Sequence, residues 1–185
     1  MQHLYHFTHT CNTFYVKATR ILFLLTVSLV GVSAPSLVIG QGAVKQASLS
    51  IEGEVKTPLV LTPADVDKLP KTTIVNKDRN EKEHKYEGVE LGLILKNAGV
   101  SLGEELRGEN LTKYLLVEAS DGYQVVFSLP EIDPAFTSRK IILANRKDGT
   151  LLSSDEGPFH IVIDGEKSRP RNARQVISLK IKFAN

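Results

Sequence analysis

Apolar and polar residues alternate along Leu49-Ser-Ile-Glu-Gly-Glu-Val55, the two-residue period of a strand with one buried face. Leu59-Val-Leu61 follows after Lys56-Thr-Pro58 and predicts the hairpin partner. Thr62-Pro-Ala-Asp65 supplies a helix cap, a proline for the first helical position and a carboxylate for the first turn; Pro70 stops the helix early. Thr72 to Val75 reads as a strand, and Asn76 to Lys85 as a charged excursion returning as a strand near Tyr86. Leu91, Ile94, Leu95 and Ala98 then change the period to i, i+3, i+4, i+7, a helix that Gly99 terminates. Leu102 to Leu111 predicts a helical turn and loop.

Tyr114 to Ala119 and Gln124 to Phe127 flank Asp121-Gly122, a dipeptide suited to a tight hairpin turn. Ser128 and Glu131 have the spacing of a capping box. Strands are expected at Lys140 to Asn145, His160 to Ile163 and Val176 to Phe183, the last with Val176, Ser178, Lys180 and Lys182 on one face and Ile177, Leu179, Ile181 and Phe183 on the other. Strands outnumber short, scattered helices, which predicts one α+β domain with mostly antiparallel pairing.

The first 42 residues follow another pattern. Lys17 and Arg20 precede the apolar run Ile21 to Val32, which is shorter than the roughly 20 residues a bilayer span needs. Residues 1–42 are therefore expected to be a signal peptide cleaved near 40/41, and residues 43–185 the exported, periplasmic or secreted domain. The competing reading is a retained anchor, because residues 36–39 extend the apolar length.

Of the chain's 23 Lys and Arg and 21 Asp and Glu, Lys17 and Arg20 alone fall in the signal, so residues 43–185 carry 21 of each sign. This balance disfavours nucleic acid as a partner. The charge is uneven, however, with Lys167, Arg169, Arg171, Arg174, Lys180 and Lys182 against Glu166 alone from Gly165 onward. The one cysteine, Cys11, precedes the expected cleavage point, leaving the exported part no disulfide and no thiolate.

Six further pieces occur in order: Tyr86-Glu-Gly-Val-Glu-Leu91, Leu95-Lys-Asn-Ala-Gly-Val100, Asp121-Gly-Tyr123 with Ser128-Leu-Pro130, Ile142-Leu-Ala-Asn-Arg-Lys-Asp-Gly149, Gly157-Pro158 leading into Ile161-Val-Ile163 and Gly165, and Arg171 to Val176. Together they resemble the molybdopterin-binding domain of the sulfite oxidase family, in a small stand-alone form. The resemblance implies that family's α+β fold, a molybdopterin cofactor held by basic side chains, and oxidoreductase chemistry at molybdenum ligated by a cysteine. That cysteine would be expected near Asn76-Lys-Asp-Arg79, where no sulfur stands. Oxygen and amide donors are poor substitutes for thiolate, so protein-ligated molybdenum is not expected.

The resemblance also places His160 where the family usually has arginine, and matches Arg171 and Arg174 to the family's Arg and Lys before the final strand. Lys167 and Arg169 lie in the connecting loop. Guanidinium forks suit oxyanions, which makes these five the candidate cofactor-binding or anion-binding residues; a solvated basic loop is the competing reading. Asp121 is expected to serve the turn, Tyr123 to pack across strands, and His84 to be exposed.

Three functions follow. The first is a non-catalytic module binding an anionic or pterin-like ligand or a partner protein. The second is an active molybdopterin-dependent oxidoreductase. The third is a structural or assembly subunit at the cell envelope. Convergence of the basic side chains on one concave pocket would favour the first two, and their dispersal over a surface the third.

Overall fold

The computed structural model describes residues 47–78 and 80–184; the expected signal peptide, Cys11 and Arg79 lie outside the described residues. Strand β1 (Leu49–Gly53) and β2 (Leu59–Leu61) form the antiparallel hairpin, with Ile51 opposite Leu59. Thr62 caps α1 (Pro63–Asp67) through a reciprocal pair of bonds: the Asp65 N–H donates to Thr62 Oγ1 at 3.3 Å, and the Thr62 N–H donates to Asp65 Oδ2 at 3.1 Å. A cap of this kind contributes about 1 kcal/mol.

Strands β3 (Thr72–Lys77) and β4 (Glu83–Glu90) run further into the charged stretch than its composition suggests, leaving residues 78–82 as the turn. The extension has a local cause. His84, expected to be exposed, is instead largely covered: its side chain is only 11% exposed and its ring lies between Asp148 at 2.6 Å and Asp78 at 3.4 Å. The two carboxylates come from separate hairpin turns, so the sequence around His84 could not show both.

Helix α2 (Leu91–Asn97) buries Leu91, Ile94 and Leu95 and ends before Gly99, whose φ of +74° is the left-handed conformation that closes helices. Strands β5 (Lys113–Ala119) and β6 (Gln124–Ser128) pair around Asp121-Gly122, and Ser128 with Glu131 closes the expected capping box. The remaining strands are β7 (Ile141–Lys147), β8 (Thr150–Leu151), β9 (His160–Ile163) and β10 (Val176–Phe183).

The strands build two sheets, one ordered β2-β1-β10-β5-β6, the other β3-β4-β7-β8 with β9 also paired to β7. All of these ladders are antiparallel except that of β1 with β10, where Ile51 lies opposite Leu179. The architecture is the expected single α+β domain. Among the described residues no helix is long and apolar enough to cross a membrane.

The main core joins Ile51, Leu115, Val117, Phe127 and Leu179 of the first sheet to Val89, Leu143 and Ile161 of the second, with α2 contributing Leu91, Ile94 and Leu95. One local irregularity alters the expected face pattern of β10. A register shift between Val176 and Ser178 buries both and leaves Ile177 46% exposed, so the regular alternation begins only after the bulge. A second shift, between Glu87 and Gly88, brings β4 against β7 so closely that a Cβ at Gly88 would collide with the Leu143 carbonyl. The glycine of the Tyr-x-Gly-Val motif is thus required by backbone approach.

A smaller apolar cluster, Ile74, Tyr86, Ile142, Ala144 and Val162, occupies the other face of the second sheet. Asn76 Nδ2 donates to the Ile163 carbonyl at 3.0 Å, although β3 and β9 are separated by β4 and β7. Asn76 pairs with His84 and Ile163 with Ile141, which places them at diagonally opposite corners. Only a strongly coiled sheet brings such corners together, and the cluster lies on its concave side.

Candidate functional site

Between β9 and β10 the chain makes one 3-10 turn, Arg169–Arg171, before entering the last strand. Arg171 points its fork inward onto carboxylates. Its Nη1 donates to Glu131 Oε2 at 2.8 Å and its Nη2 to Glu166 Oε2 at 2.7 Å, while the guanidinium carbon stands 5.2 Å from the Phe127 ring centre. Arg139 donates to the same Glu166 oxygen at 3.0 Å. Glu131 and then Glu166 hold the Arg171 proton more tightly than usual. Burial pushes the Glu131 carboxyl upward, but Arg171 and the Ser128 bonds outweigh it and the net shift is downward.

Tyr123, expected as a cross-strand packing residue, does something different. Its hydroxyl donates to the Pro170 carbonyl at 2.7 Å and ties the basic turn to the start of β6. Asp121 does serve the turn, accepting from the Tyr123 N–H at 2.9 Å.

Arg174 and His160 belong to another group, centred on Glu156. This carboxylate is 5% exposed and meets Lys147 at 3.1 Å and Arg174 at 3.5 Å. Gln175 holds the loop from the other side: its N–H donates to the Glu156 carbonyl at 3.0 Å and its Nε2 to the Ser154 carbonyl at 2.7 Å. The φ of Gln175 is +48°, a left-handed conformation uncommon for a side-chain-bearing residue. His160 is buried against the edge of Tyr86, with ring centres 5.5 Å apart at 90°. Burial is the main cause that lowers the His160 pKa to about 4, with Glu156 opposing it and Arg174 and Lys147 adding to it. The Asn172 backbone also favours the charged form, but burial outweighs it and the imidazole is neutral at pH 7.

The five candidate residues thus separate. Arg171 is anchored on Glu131 and Glu166, Arg174 on Glu156, and His160 is packed away from solvent. Lys167 and Arg169 are exposed, and neither forms an ion pair among the described residues. A groove of about 430 Å³ lies elsewhere, along α2 between Leu93, Lys96, Leu102 and Pro134, and none of the five lines it. The residues missed by sequence reasoning are the carboxylates Glu131, Glu156 and Glu166, together with Lys147. A lone acidic residue in a basic segment, Glu166, was the available signal.

The site can also be tested against a molybdenum cofactor. At the segment where a thiolate was expected, the Asn76 amide is engaged with Ile163 across the sheet, and among the described residues no three His, Cys, Asp or Glu side chains group at metal-binding distance. Arg171 and Arg174 already face carboxylates and His160 is buried and neutral, which leaves Lys167 and Arg169 as the open cations. These donors do not fit a thiolate-ligated molybdenum.

No family model matches this chain, and no curated protein matches it either. Among solved structures, the crystal structure of the sulfane dehydrogenase SoxCD from Paracoccus pantotrophus is similar, with a TM-score of 0.54 and 22% identity. The fold is shared. The similarity covers 72% of this chain and 37% of the SoxCD chain, so this chain corresponds to well under half of that protein. At this identity the likeness speaks for architecture alone.

Proposed function

We propose that this chain is an exported, non-catalytic module of the sulfite-oxidase-like fold that engages a partner protein at the cell envelope. The observation that carries this reading is the internal neutralisation of Arg171: each of its terminal nitrogens donates to a carboxylate, Glu131 or Glu166. Two of its five N–H donors are engaged by carboxylates, whose negative charge opposes a second anion at the same guanidinium. Lys167 and Arg169 remain outward, where they can set the electrostatics of a contact with another protein.

Thermal-shift titration tests the choice between partner and small anion. Phosphate, pyrophosphate and pterin anions are expected to leave the melting temperature unchanged at millimolar concentration. A saturable rise that disappears in Arg171→Ala would overturn the proposal.

The runner-up is a module binding an anionic or pterin-like ligand, favoured by Arg174, whose side chain is 55% exposed and whose contact with Glu156 is long. That reading predicts a saturable shift lost in Arg174→Ala instead. An active molybdopterin enzyme is the least supported, because it requires the cofactor's own sulfurs to hold the metal without help from the chain.

A further inference from the structure

Strand β6 lies at the end of the first sheet, and its backbone hydrogen bonds can be assigned one by one. The Ala119 N–H donates to the Tyr123 carbonyl at 2.9 Å. The two-residue period of an antiparallel ladder then turns the amides of Val125 and Phe127 toward β5 as well. Gln124, Val126 and Ser128 are out of phase and face away. Ser128 confirms the phase, since its N–H is taken by the Glu131 carboxylate at 3.1 Å. The peptide groups of Gln124 and Val126 are left without a backbone partner among the described residues, and the Val126 side chain is 51% exposed.

The other edges are protected in ways β6 is not. Strand β2 has three residues between Pro58 and Pro63, β3 is bounded by Lys71 and Lys77, and β8 has two residues. On β9 the Ile161 N–H already donates to the Ala173 carbonyl at 2.8 Å. Strand β6 has five residues, Gln-Val-Val-Phe-Ser, with no charge, no proline and no bulge against β5. An edge of that kind is a template for another strand.

What lies beside it specifies the occupant. The Tyr123 hydroxyl bond to Pro170 and the Arg171 contact over Phe127 hold the basic turn along β6. That turn presents Lys167 and Arg169, both exposed and without an ion pair among the described residues. We propose that β6 accepts an extended segment of a partner protein as an added strand, with acidic residues at one end of that segment meeting Lys167 and Arg169. This rests on the partner-binding reading above and names its chemistry: backbone pairing supplies affinity, and the flanking carboxylates supply direction.

The test uses the protein secreted from an exporting host and a capped peptide of alternating valine and threonine ending in a pair of glutamates, with binding followed by fluorescence anisotropy. N-methylation of alternate peptide amides on the pairing edge should weaken binding at least about tenfold, because it removes the main-chain donors there, whereas methylation of the amides on the opposite edge should have a smaller effect. Exchanging Lys167 and Arg169 for Glu should weaken the glutamate-ended peptide about fivefold and leave a lysine-ended one no weaker. Val126→Pro removes an outward N–H that β5 does not use, a substitution edge strands tolerate, and should abolish binding, whereas Val126→Thr should retain it. Equal binding of the methylated and unmethylated peptides overturns the proposal without any variant. So does a concentration-dependent dimer that occupies β6 and excludes the peptide, which would assign this edge to a second copy. Either failure leaves the non-catalytic reading intact, since metal content tests that separately.

Discussion

Arg171 and Arg174 are three residues apart on one short segment, yet they sit in different environments. Arg171 is two-thirds covered, bonded through both terminal nitrogens to two carboxylates and stacked over Phe127. Arg174 is 55% exposed and reaches its one carboxylate at 3.5 Å, while that carboxylate, Glu156, is deeply buried. In the first group the arginine is the fixed element, and in the second the acid is. A guanidinium in the first setting organises structure, whereas one in the second can be removed with little effect on the fold.

The largest effect that would sharpen this contrast is expected at Glu156. Glu156→Ala strips the buried carboxylate from Lys147 and Arg174; because those cations reach solvent, the cost is expected at the low end for a broken buried pair, about 3 kcal/mol; chemical denaturation would measure it, and a loss near zero would erase the distinction. Next is the pH response of the same group. His160 has a folded pKa of about 4 against an ordinary value of 6.5, so the unfolded chain binds the proton more readily. Stability is full above pH 6.5 and declines as the pH falls toward 4, by about 3 kcal/mol at the limit. His160→Phe should flatten that part of the stability profile, and an unchanged slope would assign the loss elsewhere.

Much of the local structure behind these groups was legible in the sequence. The Thr62 cap, the α2 face, the Asp121-Gly122 turn and the Ser128–Glu131 box each depend on residues a few positions apart, and each formed as expected. What was not legible depends on distant partners. The parallel pairing of β1 with β10 joins the two ends of the domain, and the bulge after Val176 follows from how β10 meets β5. The site suffered most from this limit: Arg171 meets Glu131 forty residues away, and the burial of His160 depends on the coiling of the second sheet. Composition reads a basic segment as a cradle because it counts cations and cannot see which carboxylates will fold onto them.

A smaller effect belongs to the first group. Arg171→Ala should cost about 2 kcal/mol, the sum of two charge-assisted bonds reduced by solvent at a partly exposed site. Glu166 keeps Arg139, and Glu131 keeps Ser128, which limits the damage. Calorimetric melting would register the change, and a cost under that of Arg174→Ala would reverse the comparison. The smallest effect is Arg174→Ala itself, within about 0.5 kcal/mol as for exposed ion pairs. A large loss there would mean that Arg174, rather than Lys147, neutralises Glu156.

Arg171 and Arg174 face carboxylates of the same domain and no thiolate stands among the described residues, so this fold is not expected to retain a metal-bearing pterin. The direct measurement is molybdenum and pterin content of the protein purified from a host that makes the cofactor. Less than about a tenth of a molybdenum per chain is expected, because the segment supplies no thiolate and its two anchored arginines face carboxylates. Near-stoichiometric molybdenum with bound pterin would contradict it.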